Sequence, residues 1–283
     1  MNKIRLRYPR LHHAVYFEPW AILESKHASI RAVLDSAMQG NLSEFLDERK
    51  PVEYSVTEGL AVIPIEGVIG KGLSTIEKSC GGVCVDEIGA MLGTAMNDPA
   101  VQGIMLDINS PGGSVAGVPE LADAISVANE SKPVIAFTEG EMASAAYWIA
   151  AGASAIYATK SAIVGSIGVY IPWMDSSAFY AANGHKVEVI RNAGADLKGM
   201  GIPGTSLSDE QRAHLQEHVD QVAKMFHDHV TGNRPAVGAS SMRGQVMMGQ
   251  PAADAGLTDG VQGFAQAMVD LRTLVEMKKS RMG

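Results

Sequence analysis

Apolar positions in this chain follow two rhythms. From residue 18 to 50 they recur at helical spacing, with Trp20, Ile22 and Leu23 followed by Ile30, Val33, Leu34 and Met38. Gly40 ends that helix, Leu42 to Leu46 suggests a further turn, and Pro51 closes the segment. The pattern predicts an N-terminal helical arm over residues 1–57. From Gly59 the rhythm changes. Short apolar runs of strand type, Leu60 to Ile65, Val101 to Ile108, Pro133 to Thr138, Ala155 to Ala158 and Gly165 to Ile171, alternate with helical stretches. Those helices cover Asp86 to Asn97, Val118 to Asn129 and Ser144 to Gly152, and Glu66 to Val83 reads as a loop rich in Gly and Ser. Such β-α-β alternation predicts an α/β fold with a mostly parallel sheet covered by helices.

Beyond Asp175 a helix is expected through Asn183, with Gly184 at its C′ position, then a strand from Lys186 to Arg191. A Gly-rich loop follows from Gly194 to Gly204. Ser208 and Gln211 make a capping box for a long helix with an apolar stripe of Leu215, Val219, Val222, Phe226 and Val230. That helix, 208–231, is a candidate interface. A last helix from about Phe264 to Lys279 gives three parts: an arm 1–57, a main domain 58–262 and a C-terminal helix 263–283.

Composition narrows the classes. Of 283 residues, 46% are hydrophobic but only 6% aromatic, while Gly counts 30 and Met 15. Small residues let backbones approach closely, which suits packed turns and active sites. A net charge of -8 argues against nucleic-acid binding, which wants a basic stripe. Cys80 and Cys84 cannot form a disulfide scaffold and suit a reducing, cytoplasmic compartment. Two thiols alone do not make a zinc site. The start, Met1 to Phe17, has no apolar core of a signal peptide. Met142 to Met174 carries one charge, Lys160, but Gly152, Gly165, Gly168 and Pro172 interrupt it, so a membrane anchor is not expected. His214, Glu217 and His218 match a metalloprotease spacing on a charged helix without a further acidic ligand. Gly67, Gly70 and Gly72 have the wrong spacing for a dinucleotide loop. Neither metal nor cofactor is expected.

Two segments carry chemistry. Asp107-Ile108-Asn109-Ser110-Pro111-Gly112-Gly113-Ser114 leaves a buried strand for a helix, where α/β sheets put ligands. Its two glycines permit a turn whose N–H groups face an oxyanion. Glu139-Gly140-Glu141-Met142-Ala143-Ser144-Ala145-Ala146 sets a Ser between small residues at a strand–helix junction, the geometry a nucleophile needs. Each has a plainer reading, a Pro-Gly turn and a helix N-cap. The base candidates are Lys160, His185, Lys186 and Lys198. Lys198 lies in a loop low in charge, where lost solvation lowers a lysine pKa and makes it a usable base.

Asn109 to Gly113, Ala143 to Tyr147 and Gly165-Ser166-Ile167-Gly168-Val169 resemble the signal peptide peptidase A family of serine proteases, and a Lys follows the Ser by 54 residues. The resemblance runs from about residue 58 to 262. It implies the Clp protease/crotonase-like fold of repeated β-β-α units, Ser144 as nucleophile and Lys198 as general base. It also implies Gly113 and Ala145 as oxyanion donors, with Gly112 and Ser166 supporting. The family's Lys is usually followed by Ser, whereas Gly199 stands here. Arg7-Tyr8-Pro9 and Glu18-Pro19-Trp20-Ala21-Ile22 look like the phage branch of head maturation proteases, the minor capsid protein C type. That branch implies scaffold or capsid proteins as substrates, and the fold a homo-oligomeric ring. Two rival readings stay open: a crotonase-like acyl-CoA enzyme, and a non-catalytic capsid assembly protein of the same fold.

Overall fold

A computed structural model describes residues 9–39 and 54–282. The arm comprises α1 (Pro9–Phe17), β1 (Trp20–Ile22) and α2 (Glu24–Gln39). Next come β2 (Ser55–Thr57), β3 (Leu60–Glu66), β4 (Val68–Gly70), a short α3 (Thr75–Ser79) and β5 (Gly82–Cys84). Helix α4 (Val85–Asn97) leads to β6 (Gly103–Asn109) and β7 (Gly112–Ser114), and α5 (Val118–Ser131) to β8 (Val134–Thr138) and β9 (Glu141–Ala143). Helix α6 (Ala145–Ala150) leads to β10 (Ala155–Ala158) and β11 (Ile163–Gly165). The remainder holds α7 (Ser177–Ala182), α8 (Asp209–Asn233), β12 (Val246–Met248), α9 (Gly249–Asp254), β13 (Gly260–Val261) and α10 (Phe264–Met282).

One unit repeats. A strand of the main sheet ends, the chain turns, and a short strand crosses to a second layer before a helix returns. The main sheet has the order β13-β10-β8-β6-β3-β2, parallel except for the edge strand β2. The short strands form two smaller sheets, β1-β7-β4-β5 and β12-β11-β9. The α/β class, the β-β-α units and the mostly parallel pairing expected from the sequence are all present.

β6 and β8 read as continuous apolar runs because both faces of the sheet are covered. Ile104, Leu106, Ile108, Val134 and Ala136 join the main core with residues of α4 and α5. Met105, Ile135 and Phe137 point the other way, onto Ala267, Leu271 and Val275 of α10. The C-terminal helix thus completes the core of the main sheet. The capping box of α8 is formed, with the Gln211 N–H donating to Ser208 Oγ at 3.2 Å. The Phe226 ring on α8 stacks on Trp148 of α6 at 4.5 Å between centroids. Val222, Phe226 and Val230 are therefore used within the chain, while Leu215 and Val219 remain half-buried.

Four expectations change. Trp20 to Ile22 is a strand rather than helix, because it has pairing partners along both edges. The 66–83 loop contains β4, α3 and β5. Gly165 to Ile171 is extended, but its ladder stops at Gly165 and leaves one bridge at Tyr170. Lys186 to Arg191 forms no strand: no sheet edge receives it, and Ile190 is 96% exposed. Gly40, Leu42 to Leu46 and Pro51 lie outside the described residues.

Candidate active site

Ser144 sits where β9 ends and α6 begins, with φ 56° and ψ -117°. A side chain pays for that region of the map, so the surroundings must hold it there. They do so through backbone bonds. The Ser144 N–H donates to Gly165 O at 2.7 Å, and Ser144 O accepts from the Trp148 N–H at 2.9 Å. One residue earlier the Ala143 N–H donates to Ser110 O at 3.1 Å, while the Ser110 N–H donates to Glu141 O at 2.7 Å. All six residues of α6 are buried. Ser144 is 1% exposed, and its Oγ has no hydrogen-bond partner among the described residues. The N-cap reading of the sequence is therefore set aside, since the side chain caps nothing. The first N–H groups of α6, Ala145's among them, lack acceptors from their own helix.

The Gly-Gly turn packs directly against this junction. A Cβ on Gly112 (φ +97°) would lie 2.2 Å from Ala21 O and 3.0 Å from Ala145 N. A Cβ on Gly113 would lie 1.9 Å from Ile69 O. Neither position has room for a side chain, which is the physical content of the motif. Ser110 steadies the turn: its Oγ donates to Gly67 O at 2.7 Å and accepts from the Gly112 N–H at 3.2 Å. β7 pairs antiparallel with β1, Ala21 facing Gly113. The Leu23 N–H donates to Pro111 O and the Val115 N–H to Pro19 O, at 3.0 and 3.3 Å. Antiparallel ladders alternate, so Ala21 and Gly113 between them form a hydrogen-bonded pair. The Gly113 N–H thus already serves a peptide carbonyl, supplied by the arm.

The other expected residues divide. Ser166 is buried beside the junction at φ 52°, its N–H donating to Gln245 O at 2.8 Å. Lys198 is exposed on the 184–204 loop, where its N–H donates to Ala195 O at 3.0 Å and its carbonyl accepts from Arg191 Nε. No hydrogen bond joins Lys198 to Ser144. Gly199 has φ +83°, a conformation in which the expected Ser would be strained. His185 and Lys160 are exposed as well, as are His214, Glu217 and His218 on α8.

One feature escaped the sequence reading. Glu66, Asp107 and Glu139, from the ends of β3, β6 and β8, line a cavity of about 400 Å³ with Asn109, Phe137 and Phe264. Burial pushes the Asp107 carboxyl above the ordinary carboxylate range, and Glu139 and Glu66 add to the rise. The signal was an acidic residue at or near the C-terminal end of each of three neighbouring strands of the main sheet.

Fold and junction together define a class: an α/β protein that holds a buried, strained serine at a strand–helix turn beside a two-glycine turn. Comparison narrows this. A model of Peptidase family S49 matches residues 127–278, more than half of the sequence, and the chain belongs to that family. The capsid assembly protease C of Escherichia phage lambda is 32% identical over 83% of this chain and 53% of that protein. The head-tail preconnector protein of Enterobacteria phage P21 is 30% identical over 78% of this chain and 44% of that protein. Protease 4 of Haemophilus influenzae is 27% identical over 85% and 40%. The chain thus spans about half the length of the curated relatives it matches. An enoyl-CoA hydratase from Shewanella pealeana superposes with a TM-score of 0.46 at 12% identity, over 83% of this chain and 76% of that one. A likeness of that size says nothing about chemistry.

Proposed function

We propose that this chain is a serine endopeptidase that cleaves through an acyl-enzyme on Ser144. The observation that carries the reading is the serine's own state: φ 56°, fully buried, Oγ unpartnered, at the head of a helix. Strain and an unpaired buried hydroxyl both cost stability, and such costs persist where chemistry needs them. Lys198 takes the Ser144 proton; Oγ attacks a peptide carbonyl; the N–H groups of Gly113 and Ala145 hold the oxyanion; water releases the acyl group. Gly112 gives the turn its close approach, and Ser166 orients the base. The Lys198 loop pairs with no strand, so it is the half of the dyad that must be carried to Ser144 by loop movement or assembly. No metal or cofactor enters this scheme.

The lambda and P21 relatives, named for capsid assembly and the head-tail preconnector, favour scaffold or capsid proteins as substrates; to these we add a homo-oligomer working inside an assembling head in host cytoplasm. The half-buried Leu215 and Val219 of α8 are its candidate contact. Among the described residues no helix is long and apolar enough to cross a membrane. A crotonase-like acyl-CoA reaction would leave the strained serine without a task. The test is labelling with a serine-reactive fluorophosphonate: wild type should gain one adduct and Ser144→Ala none. Equal labelling of both would sink the nucleophile assignment.

A further inference from the structure

The segment Pro19–Leu23 lies beside Ser144 as a strand held on both edges. On one edge, Ala21 is hydrogen-bonded opposite Gly113, flanked by the Pro19–Val115 and Leu23–Pro111 bonds. On the other, the Trp20 N–H donates to Tyr170 O at 2.8 Å and the Tyr170 N–H to Trp20 O at 3.0 Å. An extended peptide between two strand edges is how a protease groove commonly takes a substrate. Ala21 is the residue at the junction: its carbonyl oxygen and the Ala145 N–H are both neighbours of the same point above Gly112. It is fully buried, and its small side chain fits the crowded turn.

Much of the rest of the arm packs in a cluster apart from the main core. Val15, Tyr16 and Leu34 form a small cluster of their own, with Phe17, Ile30 and Met174 packed on it. Among the described arm residues, Ala21 is the one inside the main buried cluster, and Tyr54 packs on that cluster's edge.

Resting on the peptidase reading, we propose that the chain is its own substrate and that the Ala21–Ile22 peptide bond is its processing site. Ser144 Oγ bonds to the Ala21 carbonyl carbon while its proton passes to the base. The C–N bond to Ile22 then breaks and the proton goes to the Ile22 nitrogen, leaving an Ala21 ester on Ser144. One water hydrolyses the ester, giving the Ala21 carboxyl and the free serine. Residues 1–21 leave, and the groove opens to other chains.

The test follows intact mass and N-terminal sequence of the full chain and of Ser144→Ala during incubation, beside fluorophosphonate labelling and casein hydrolysis. The expected result is loss of residues 1–21 and a new N-terminal Ile22 in wild type, with Ser144→Ala intact. Wild type that labels and hydrolyses casein yet keeps its arm, or is cut elsewhere, overturns the processing site and leaves the peptidase reading standing. The same Ile22 terminus in both proteins overturns self-cleavage. An intact chain that neither labels nor hydrolyses casein overturns both.

Discussion

The two halves of the proposed dyad are built in opposite ways. Around Ser144 the backbone is over-determined: strands β9 and β11, the Ser110 turn and the α6 helix each fix it, and glycines stand where no Cβ fits. Around Lys198 nothing comparable exists. Residues 184–204 join no ladder, are largely exposed, and are held by local turns and a few contacts such as Gly201 against Phe17. The difference teaches where precision is needed before substrate arrives. A nucleophile and its oxyanion donors must be placed within fractions of an ångström, and preorganisation supplies the rate. A long lysine can be brought in afterwards.

Substitution should expose that asymmetry, and the largest effect is expected at the nucleophile. Ser144→Ala should abolish turnover, by about 10⁴-fold or more, while raising stability by about 1 kcal/mol because a buried unpaired hydroxyl disappears. Activity and thermal unfolding measured on the same samples check both signs. A destabilised Ser144→Ala would mean that the hydroxyl has a structural partner after all. Gly113→Ala strikes the same half differently. Its Cβ would meet Ile69 backbone at 1.9 Å, so β4 and β7 must part, at a cost of about 3 kcal/mol or more. Here activity and stability should fall together. Unchanged unfolding would show the turn to be softer than it looks.

Lys198→Ala should separate the two. A general base contributes about 10² to 10⁴ in rate, and an exposed side chain contributes within about 0.5 kcal/mol to stability. The variant should lose activity at an unaltered melting temperature. Retained activity would hand the proton to another group, His185 first, and would remove one side of the comparison.

The same asymmetry decided what could be read beforehand. The junction was legible because its residue types are distinctive over short stretches: Ala143, Ala145 and Ala146 flank the serine and Gly112-Gly113 marks a turn, although the atoms that exclude a Cβ there, Ala21 O and Ile69 O among them, are distant in sequence. The strands β6 and β8 were legible from burial on both faces. The Trp20 to Ile22 segment was not, since three adjacent apolar residues fit helix or strand, and the choice lies with Gly112 to Ser114 and Tyr170, distant in sequence. Val187-Glu188-Val189 alternates like a strand, yet it pairs with none of the described strands. Whether Lys198 meets Ser144 is likewise a long-range matter that neither composition nor period records.

The smallest expected effect concerns the cover over the rigid half. The buried His27 ring bonds Val15 O at 2.9 Å and touches Trp20 and Tyr170. Burial lowers its pKa first of all, the Val15 carbonyl works against that, and Arg31 adds to the lowering. His12, on α1, is lowered by burial too, against the pull of Asp35. A histidine neutral in the docked arm and protonated in a released one contributes its full stabilisation above about pH 6.5 and loses it as pH falls toward the lowered value. The slope is at most about 1.4 kcal/mol per pH unit for one proton. In Ser144→Ala, where the arm cannot be cut, amide exchange of Trp20 to Ile22, corrected for intrinsic rates, should therefore quicken between neutral pH and pH 5.5, while that of Ala146 to Ala150 stays fixed. His27→Gln in the same background should flatten the response. Equal quickening in both segments would mean that acid loosens the junction itself, and that the nucleophile's half is no more rigid than the loop that carries the base.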